Sequence, residues 1–380
     1  MTPRERMLTA YRHGLPDSLP VSPELWDATA IAVSGRPFHE LVGPFAEIPW
    51  WQTHLAAFEY FGADAWILAM PGESTEQQSM RTLASRFLDD ETIETQTTYH
   101  TPRGDLHAVS RTAPTYADWL IEHPVKVFPV DMRAYEDYWF TAPEAIDLSA
   151  VDPVIAGVGE KGLVTPFLGD LFTSFLGLVR EGGIAQTIFD LLDEPEYCAH
   201  LQRRYTDHLS ALTRRLLTET HAQALFIHGG YSGLPIISPA LFRQWDQPVL
   251  AAVSAVCREF DVPLHLHQHG HLLPIMEDLI AAGVNLVCPL LPPPQGDIDN
   301  LAAVKHRFGA RIALKGNIDP FDVLLHGTVD DVRRAVEGCA RAGAPGGGFI
   351  LGTADSTLVG TPFENIHAFV EAGRAFRLEG

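Results

Sequence analysis

A chain of 380 residues carrying 27 lysines and arginines against 48 aspartates and glutamates has a net charge of −21. A surface of that sign repels phosphate backbones and anionic headgroups, which excludes nucleic acid and the membrane surface as natural partners. With 46% hydrophobic and 20% charged residues, the composition is that of an ordinary globular protein with ample material for a core. The four cysteines, Cys198, Cys257, Cys288 and Cys339, lie far apart and form no CxxC pair, the usage of a reducing compartment. The opening "MTPRERMLTAYRHG" lacks the apolar stretch of a leader, and no run of about 18 apolar residues follows. The expected location is the cytoplasm.

Eight short apolar or β-branched runs recur along the chain: "LPVS" (19–22), "DAWILA" (64–69), "GLVTPFLG" (162–169), "ALFIHGG" (224–230), "PLHLHQHG" (263–270), "NLVCPLL" (285–291), "RIALKGNI" (311–318) and "GFILGTADS" (348–356). Helical patterns such as 239–260 and 328–342 separate most of them. Repeated strand–helix units imply a parallel sheet covered on both faces. Eight of them imply an α/β fold closed into a (β/α)8 TIM barrel. The main rival is an open doubly wound sheet. It usually carries a glycine-rich phosphate loop after its first strand, and none follows "LPVS".

The expected organisation is a single TIM-barrel domain over 1–380 with an insert at about 70–161, a stretch too long for one strand-to-helix connection. Within it, "TIETQTTYHTPRGDLHAVSRT" alternates in character on both sides of "PRGD". That is the mark of an inserted β-hairpin between strands 2 and 3. A short helix is expected near 115–122, with the insert lying over one barrel mouth.

The run "LHLHQHGH" (264–271) holds four histidines at alternate positions. In a strand, His265, His267 and His269 share one face, with neighbours about 6.5–7 Å apart. Two neighbouring imidazoles can converge on one metal ion, whereas the outer members of the three, about 13 Å apart, cannot. Barrel active sites sit at the C-terminal strand ends, so His267 and His269 are the candidate metal pair. His265 is then a deeper packing residue, Gly270 permits a sharp exit, and His271 belongs to the following loop.

A metal pair needs a third protein ligand and an open position. Other strand ends offer His228, Asn317, Asp319 and Asp355. Asp319 precedes Pro320 and reads equally as a helix cap. Asp64 reads as a loop residue before its strand and Cys288 as a buried core thiol. Trp50 and Trp51 read as helix anchors, or as a wall of an apolar pocket.

Several segments, in order along the chain, resemble the uroporphyrinogen decarboxylase superfamily. They are "TPRERMLTAYRHGLPDSLPV", "YHTPRGDL", "ISPALFRQWDQPVL", "HQHGHLLPIMEDLIAAGVNLV", "ALKGNIDPFDVLLHGTVDDV" and "TPFENIHAFVEA". The resemblance implies a TIM barrel and two activities: decarboxylation of a porphyrinogen, or zinc-dependent methyl transfer with corrinoid proteins. The decarboxylases use an arginine-rich stretch after the first strand, with a nearby aspartate. Here "PVSPELWDATAIAVSGRPF" offers only Arg36, with Glu24 and Asp27 before it, a poor holder of a polyanion. The methyltransferase branch has His-x-Cys-Gly at the fifth strand and a cysteine near the eighth strand end, ahead of Thr-Pro-x-x-Asn. This chain has His267-Gln268-His269-Gly270 at the first place, and Asp355 ahead of Thr361-Pro362-Phe363-Glu364-Asn365 at the second. The resemblance therefore implies zinc held by His267, His269 and Asp355. Two imidazoles and a carboxylate make a harder centre than thiolates do, better suited to polarising an oxygen.

The leading expectation is a metal-dependent methyltransferase-like enzyme that moves a methyl group from a small methylated, for example methoxy, substrate to a separate corrinoid protein. His228 is a candidate fourth ligand or general acid, and Asn317 a further candidate catalytic residue. A metal-dependent hydrolase or lyase on the same barrel, a decarboxylase, and a metal-free binding protein are the alternatives. Substrate identity and oligomeric state are not legible.

Overall fold

The computed structural model describes residues 1–378, and for 116–118 the backbone only. Its central feature is a curled sheet of seven strands: β1 (Ala65–Ala69), β6 (Gly162–Asp170), β7 (Leu225–His228), β8 (Leu264–His267), β9 (Leu286–Cys288), β10 (Ala313–Ile318) and β11 (Phe349–Thr353). All are parallel and hydrogen-bonded in that order. Six fall within their expected runs, and β6 extends one residue past its own, to Asp170. The helical pattern 239–260 is split into Pro239–Trp245 and Gln247–Glu259, and 328–342 is the helix Val329–Gly343.

The eighth run, "LPVS", does not form a strand. Val21 makes an isolated parallel bridge to Leu351 of β11, and Ser22 N donates to Leu351 O at 2.8 Å. On its other side Asp64 N, just before β1, donates to Val21 O at 2.8 Å. Pro20 and Pro23 flank these two residues and have no N–H to extend a ladder. Asp64 belongs to this junction: wholly buried, it accepts from Val21 N, Arg6 and Arg374.

Between β1 and β6 lies a separate antiparallel sheet of β2 (Arg81–Asp89), β3 (Thr92–Thr101), β4 (Gly104–Ala113) and β5 (Tyr116–Glu122). Strands β3 and β4 pair across Pro102–Arg103, with His100 opposite Asp105. The sequence reading is corrected here on one point. Residues 116–122 are not a helix but strand β5, paired with β4. The backbone of β4 would otherwise leave a second edge unpaired, and Tyr116, Trp119 and Ile121 are strand-favouring residue types.

The parallel sheet is buried on both faces, by two distinct clusters. Ile67, Val164, Leu225, Ile227, Leu264, Leu266, Val287, Leu314 and Leu351 pack outward under the helices. The alternate residues Trp66, Leu163, Phe226, Leu286, Cys288, Ala313 and Ile350 form the inner cluster. The helix Pro3–Tyr11 closes the N-terminal end of that inner space with Met7, Ala10 and Tyr11. Period-two alternation therefore decides which residues can form a site: only the inner set faces the concave side. The polar members of that set gather toward the C-terminal ends of the strands. No described helix is long and apolar enough to cross a membrane.

Candidate active site

Register places His228, His267 and Cys288 side by side at the C-terminal ends of β7, β8 and β9. In a parallel sheet such neighbours point to the same face. The strand ends at His267, so His269 does not lie on it as the alternation implied. It lies in the exit turn, where Gly270 takes φ +78° and bridges Leu234. A Cβ on Gly270 would lie 2.0 Å from Leu234 O. The turn folds His269 back over the strand end, and the Nε2 atoms of His267 and His269 come within 2.7 Å. Asp355, two residues past β11, brings Oδ2 to 3.5 Å from His269 Nε2. Its other oxygen accepts from Ser356 N at 2.6 Å.

His228 is tied by Nδ1 to Asp170 Oδ1 at 2.7 Å. Its ring centroid is 5.3 Å from that of His267 and 6.4 Å from that of His269. Asn317 is not brought to the histidines. Its Oδ1 accepts from Cys339 Sγ on the helix Val329–Gly343, at 3.5 Å. Asp319 caps the following helical turn, accepting from Phe321 N and Asp322 N. Trp50 stacks on Trp26 and donates to Asp27.

Beneath the histidine pair is a wholly buried polar layer. Lys315 Nζ lies 2.7 Å from Glu24 Oε1 and 4.7 Å from the centre of the Trp66 ring. Cys288 Sγ is 2.9 Å from His265 Nε2 and 3.3 Å from His267 Nδ1. Tyr11 OH meets His265 Nδ1 at 2.8 Å. Glu24, His267 and Cys288 offer ligand atoms that all lie within 4.8 Å of one another.

Burial controls the electrostatics. It pushes His267 well below the usual imidazole range, helped by His269, His228, His265 and Lys315. His269 is lowered by burial, against the pull of Asp355. Asp355 is raised by burial, against the pull of His269. Burial and Glu24 push the Cys288 thiol well up. The imidazoles are therefore held neutral, the form that binds a metal ion. In the lower group of Glu24, His267 and Cys288, the Lys315 ammonium is already paired with Glu24. In the upper group His269 Nε2 touches both His267 Nε2, at 2.7 Å, and Asp355 Oδ2, at 3.5 Å, at an accessible strand end.

His269 and Asp355 line a cavity of ≈ 780 Å³. Trp26, Leu291, Pro292, Phe321 and Leu358 supply apolar wall. The charged residues that line it are Asp27, Asp319 and Asp355, and among the described residues no lysine or arginine does.

Glu24, Asp170, Lys315 and Tyr11 are the polar neighbours of the site that the sequence reading did not assign to it. Asp170 carried a signal close to the one that selected His228, since it follows directly on its own apolar run. Lys315 carried a signal too: a lone lysine at an inward position of an apolar strand needs a buried partner. Nothing local in the sequence pairs Tyr11 with His265.

Residues 146–376 match the family model for uroporphyrinogen decarboxylase (URO-D). The chain belongs to the uroporphyrinogen decarboxylase family. The matched span takes in β6 to β11 and with them His228, His267, His269 and Asp355. Curated family relatives include uroporphyrinogen decarboxylase 2, chloroplastic, of Oryza sativa subsp. japonica, 26% identical over 230 residues. The chloroplastic uroporphyrinogen decarboxylase of Zea mays is 28% identical over 230 residues. Each match covers 58% of this chain and 54% of the relative, so the chain spans about half the length of the relatives it matches. Among solved structures, a methyltransferase from Methanosarcina mazei superposes with a TM-score of 0.65 over 98% of both chains, at 16% identity. This family member therefore shares its fold with that protein over nearly its whole length.

Proposed function

We propose that the chain is a metal-dependent methyltransferase-like enzyme that passes a methyl group from a small methylated substrate, such as a methoxy compound, to a separate corrinoid protein. The observation that supports this reading is the adjacency of His269 to both His267 and Asp355, beside a cavity that His269 and Asp355 line and that has no lysine or arginine among its described lining residues. In this reading residues 20–22 close the seven strands into an eight-membered barrel, with about 70–161 as an insert over its mouth.

The names of the curated relatives favour decarboxylation instead. A porphyrinogen bearing several carboxylates needs arginine or lysine around it. A cavity whose charged walls are Asp27, Asp319 and Asp355 repels such a substrate. The name of the Methanosarcina mazei protein agrees with methyl transfer.

His267, His269 and Asp355 would hold the ion, zinc being the natural choice for two imidazoles and a carboxylate. When bound, a divalent ion supplies Lewis acidity toward a substrate oxygen. The remaining work falls to the side chains. The apolar walls hold the uncharged body of the substrate and exclude water. Asp170 accepts the Nδ1 proton of His228, which leaves the Nε2 lone pair free to take a proton and, once the ring is an imidazolium, to give it up. In the reaction the methyl–oxygen bond breaks with its electron pair left on oxygen. The methyl group would leave to the reduced corrinoid of the partner protein as acceptor, and His228, after taking a proton from solvent on Nε2, would give it to the oxygen left behind.

The test combines elemental analysis of the purified protein with an assay of demethylation of methoxy compounds coupled to methylation of reduced cobalamin. Stoichiometric zinc together with methylcobalamin formation supports the reading. Zinc with hydrolytic turnover and no methylcobalamin would assign a hydrolase or lyase on the same barrel.

A further inference from the structure

His267 presents one ring nitrogen to each of two environments. Nε2 faces His269 at the mouth, 2.7 Å away. Nδ1 faces the closed interior, 3.3 Å from Cys288 Sγ. The sulfur in turn is 2.9 Å from His265 Nε2, and His265 Nδ1 reaches Tyr11 OH at 2.8 Å. Tyr11, His265 and Cys288 all have zero exposure. The result is an unbroken polar chain from the N-terminal helix to the mouth, Tyr11 to His265 to Cys288 to His267 to His269, beside the buried Lys315–Glu24 pair.

We propose that Cys288 is the positioning residue of His267: its sulfur accepts the Nδ1 proton and thereby presents the Nε2 lone pair to the mouth. This inference rests on the reading of His267 as a metal ligand. The physical need is general, because a ligating histidine is held by what its second nitrogen donates to, usually a carboxylate or a carbonyl. Here a carboxylate in that place would stack a second negative charge beside Glu24 in a dry interior. A neutral thiol accepts instead, and its size fits between the two imidazoles. Phe226 restrains His267 from the side, with ring centroids 6.2 Å apart. Restraint from a ring cannot choose between nitrogens, and a hydrogen-bond partner can. The same contacts argue against Cys288 as a ligand itself. The sulfur faces Nδ1, the nitrogen turned away from His269 and Asp355, and Glu24 beside it is paired with Lys315.

Three measurements test this on the full chain, with Cys288→Ala and Cys288→Ser. The first is NMR of the His267 ring nitrogens in metal-free protein. Wild type should carry its proton on Nδ1, Cys288→Ala should lose that preference, and Cys288→Ser, which keeps an acceptor, should partly restore it. A wild-type ring protonated on Nε2 would overturn the proposal. The second is zinc affinity, expected to fall roughly 10–100-fold in Cys288→Ala with an unchanged unfolding midpoint. Unchanged affinity in a folded Cys288→Ala overturns it, and should that variant fail to fold, Cys288→Ser carries the comparison. The third is the absorption spectrum of cobalt(II)-loaded wild type, expected to lack a near-ultraviolet thiolate charge-transfer band. A band that vanishes in Cys288→Ser would make Cys288 a ligand and the positioning role wrong. If wild type binds no metal, the functional reading fails, and the NMR result still decides the tautomer claim on its own.

Discussion

Lys315 and Glu24 form an ion pair at 2.7 Å in which neither side chain is exposed to solvent. The pair joins β10 to the segment that follows "LPVS", so it ties the first part of the chain to the curled sheet. Breaking such a pair by removing one partner leaves a buried charge and costs about 3–5 kcal/mol. Lys315→Met and Glu24→Gln should each lower stability by about that amount, read from denaturant unfolding. The double variant Glu24→Leu/Lys315→Met should be less damaged than the sum of the two. A single variant within ~0.5 kcal/mol of wild type would contradict the pairing.

His267→Ala and His269→Ala should each remove most bound zinc, while His271→Ala should not. His271 lies in the loop, where its backbone N–H donates to Leu234 O, away from the 2.7 Å contact of the other two. Elemental analysis after dialysis decides this. Stoichiometric metal in the His267→Ala/His269→Ala double variant would remove the site.

Asp355→Cys puts a soft donor where the proposed site has a hard one, at the same backbone position. It should retain zinc, and its substrate preference should shift from oxygen toward sulfur compounds. Comparing demethylation of methyl thioethers with that of methoxy compounds, in the variant and in wild type, measures the shift. Loss of zinc in a variant that keeps the wild-type unfolding midpoint would show that position 355 does not reach the ion.

The buried imidazoles set an acid limit. Burial lowers His265 and His267 well below the usual value of 6.5. Between that value and their folded-state values, the unfolded chain binds more protons than the native one. Stability then rises with pH. Their contribution is complete above about pH 6.5 and is lost as the pH falls through the lower folded-state values. Asp355, raised by burial, acts in the opposite sense, since its contribution fades as the pH rises through its folded-state value. Urea midpoints from pH 4.5 to 8 should therefore climb steeply up to about 6.5. The climb should be shallower in His265→Gln/His267→Gln. Equal slopes would mean that these rings are not held neutral.

Gly270→Ala should weaken zinc binding without touching a ligand. The positive φ and the approach to Leu234 O leave no room for a methyl group, and a substitution with such strain costs more than about 1 kcal/mol. Relief of that strain moves His269 away from His267. Zinc titration of the folded variant checks this, and wild-type affinity would show that the turn does not position His269.

Seven parallel strands were legible because each is a short apolar run with its own period-two signal, and local pattern alone writes that signal. The pairing of His267 and His269 was legible for the same reason, although the route was not. Alternation put His269 on the strand. The structure puts it in a turn, because strand pairing stops at His267 and Gly270 changes the backbone direction. The place of "LPVS" between β11 and β1 and the extra strand β5 depended on partners far off in sequence. Burial of the Lys315–Glu24 pair did too. So did the partner of Cys288, which in the sequence is one more thiol in an apolar run and in the fold sits between two imidazoles. Local periodicity specifies which face a side chain takes. Which side chains meet across that face is decided by the register between strands and by the curl of the sheet, and neither is written in any one segment.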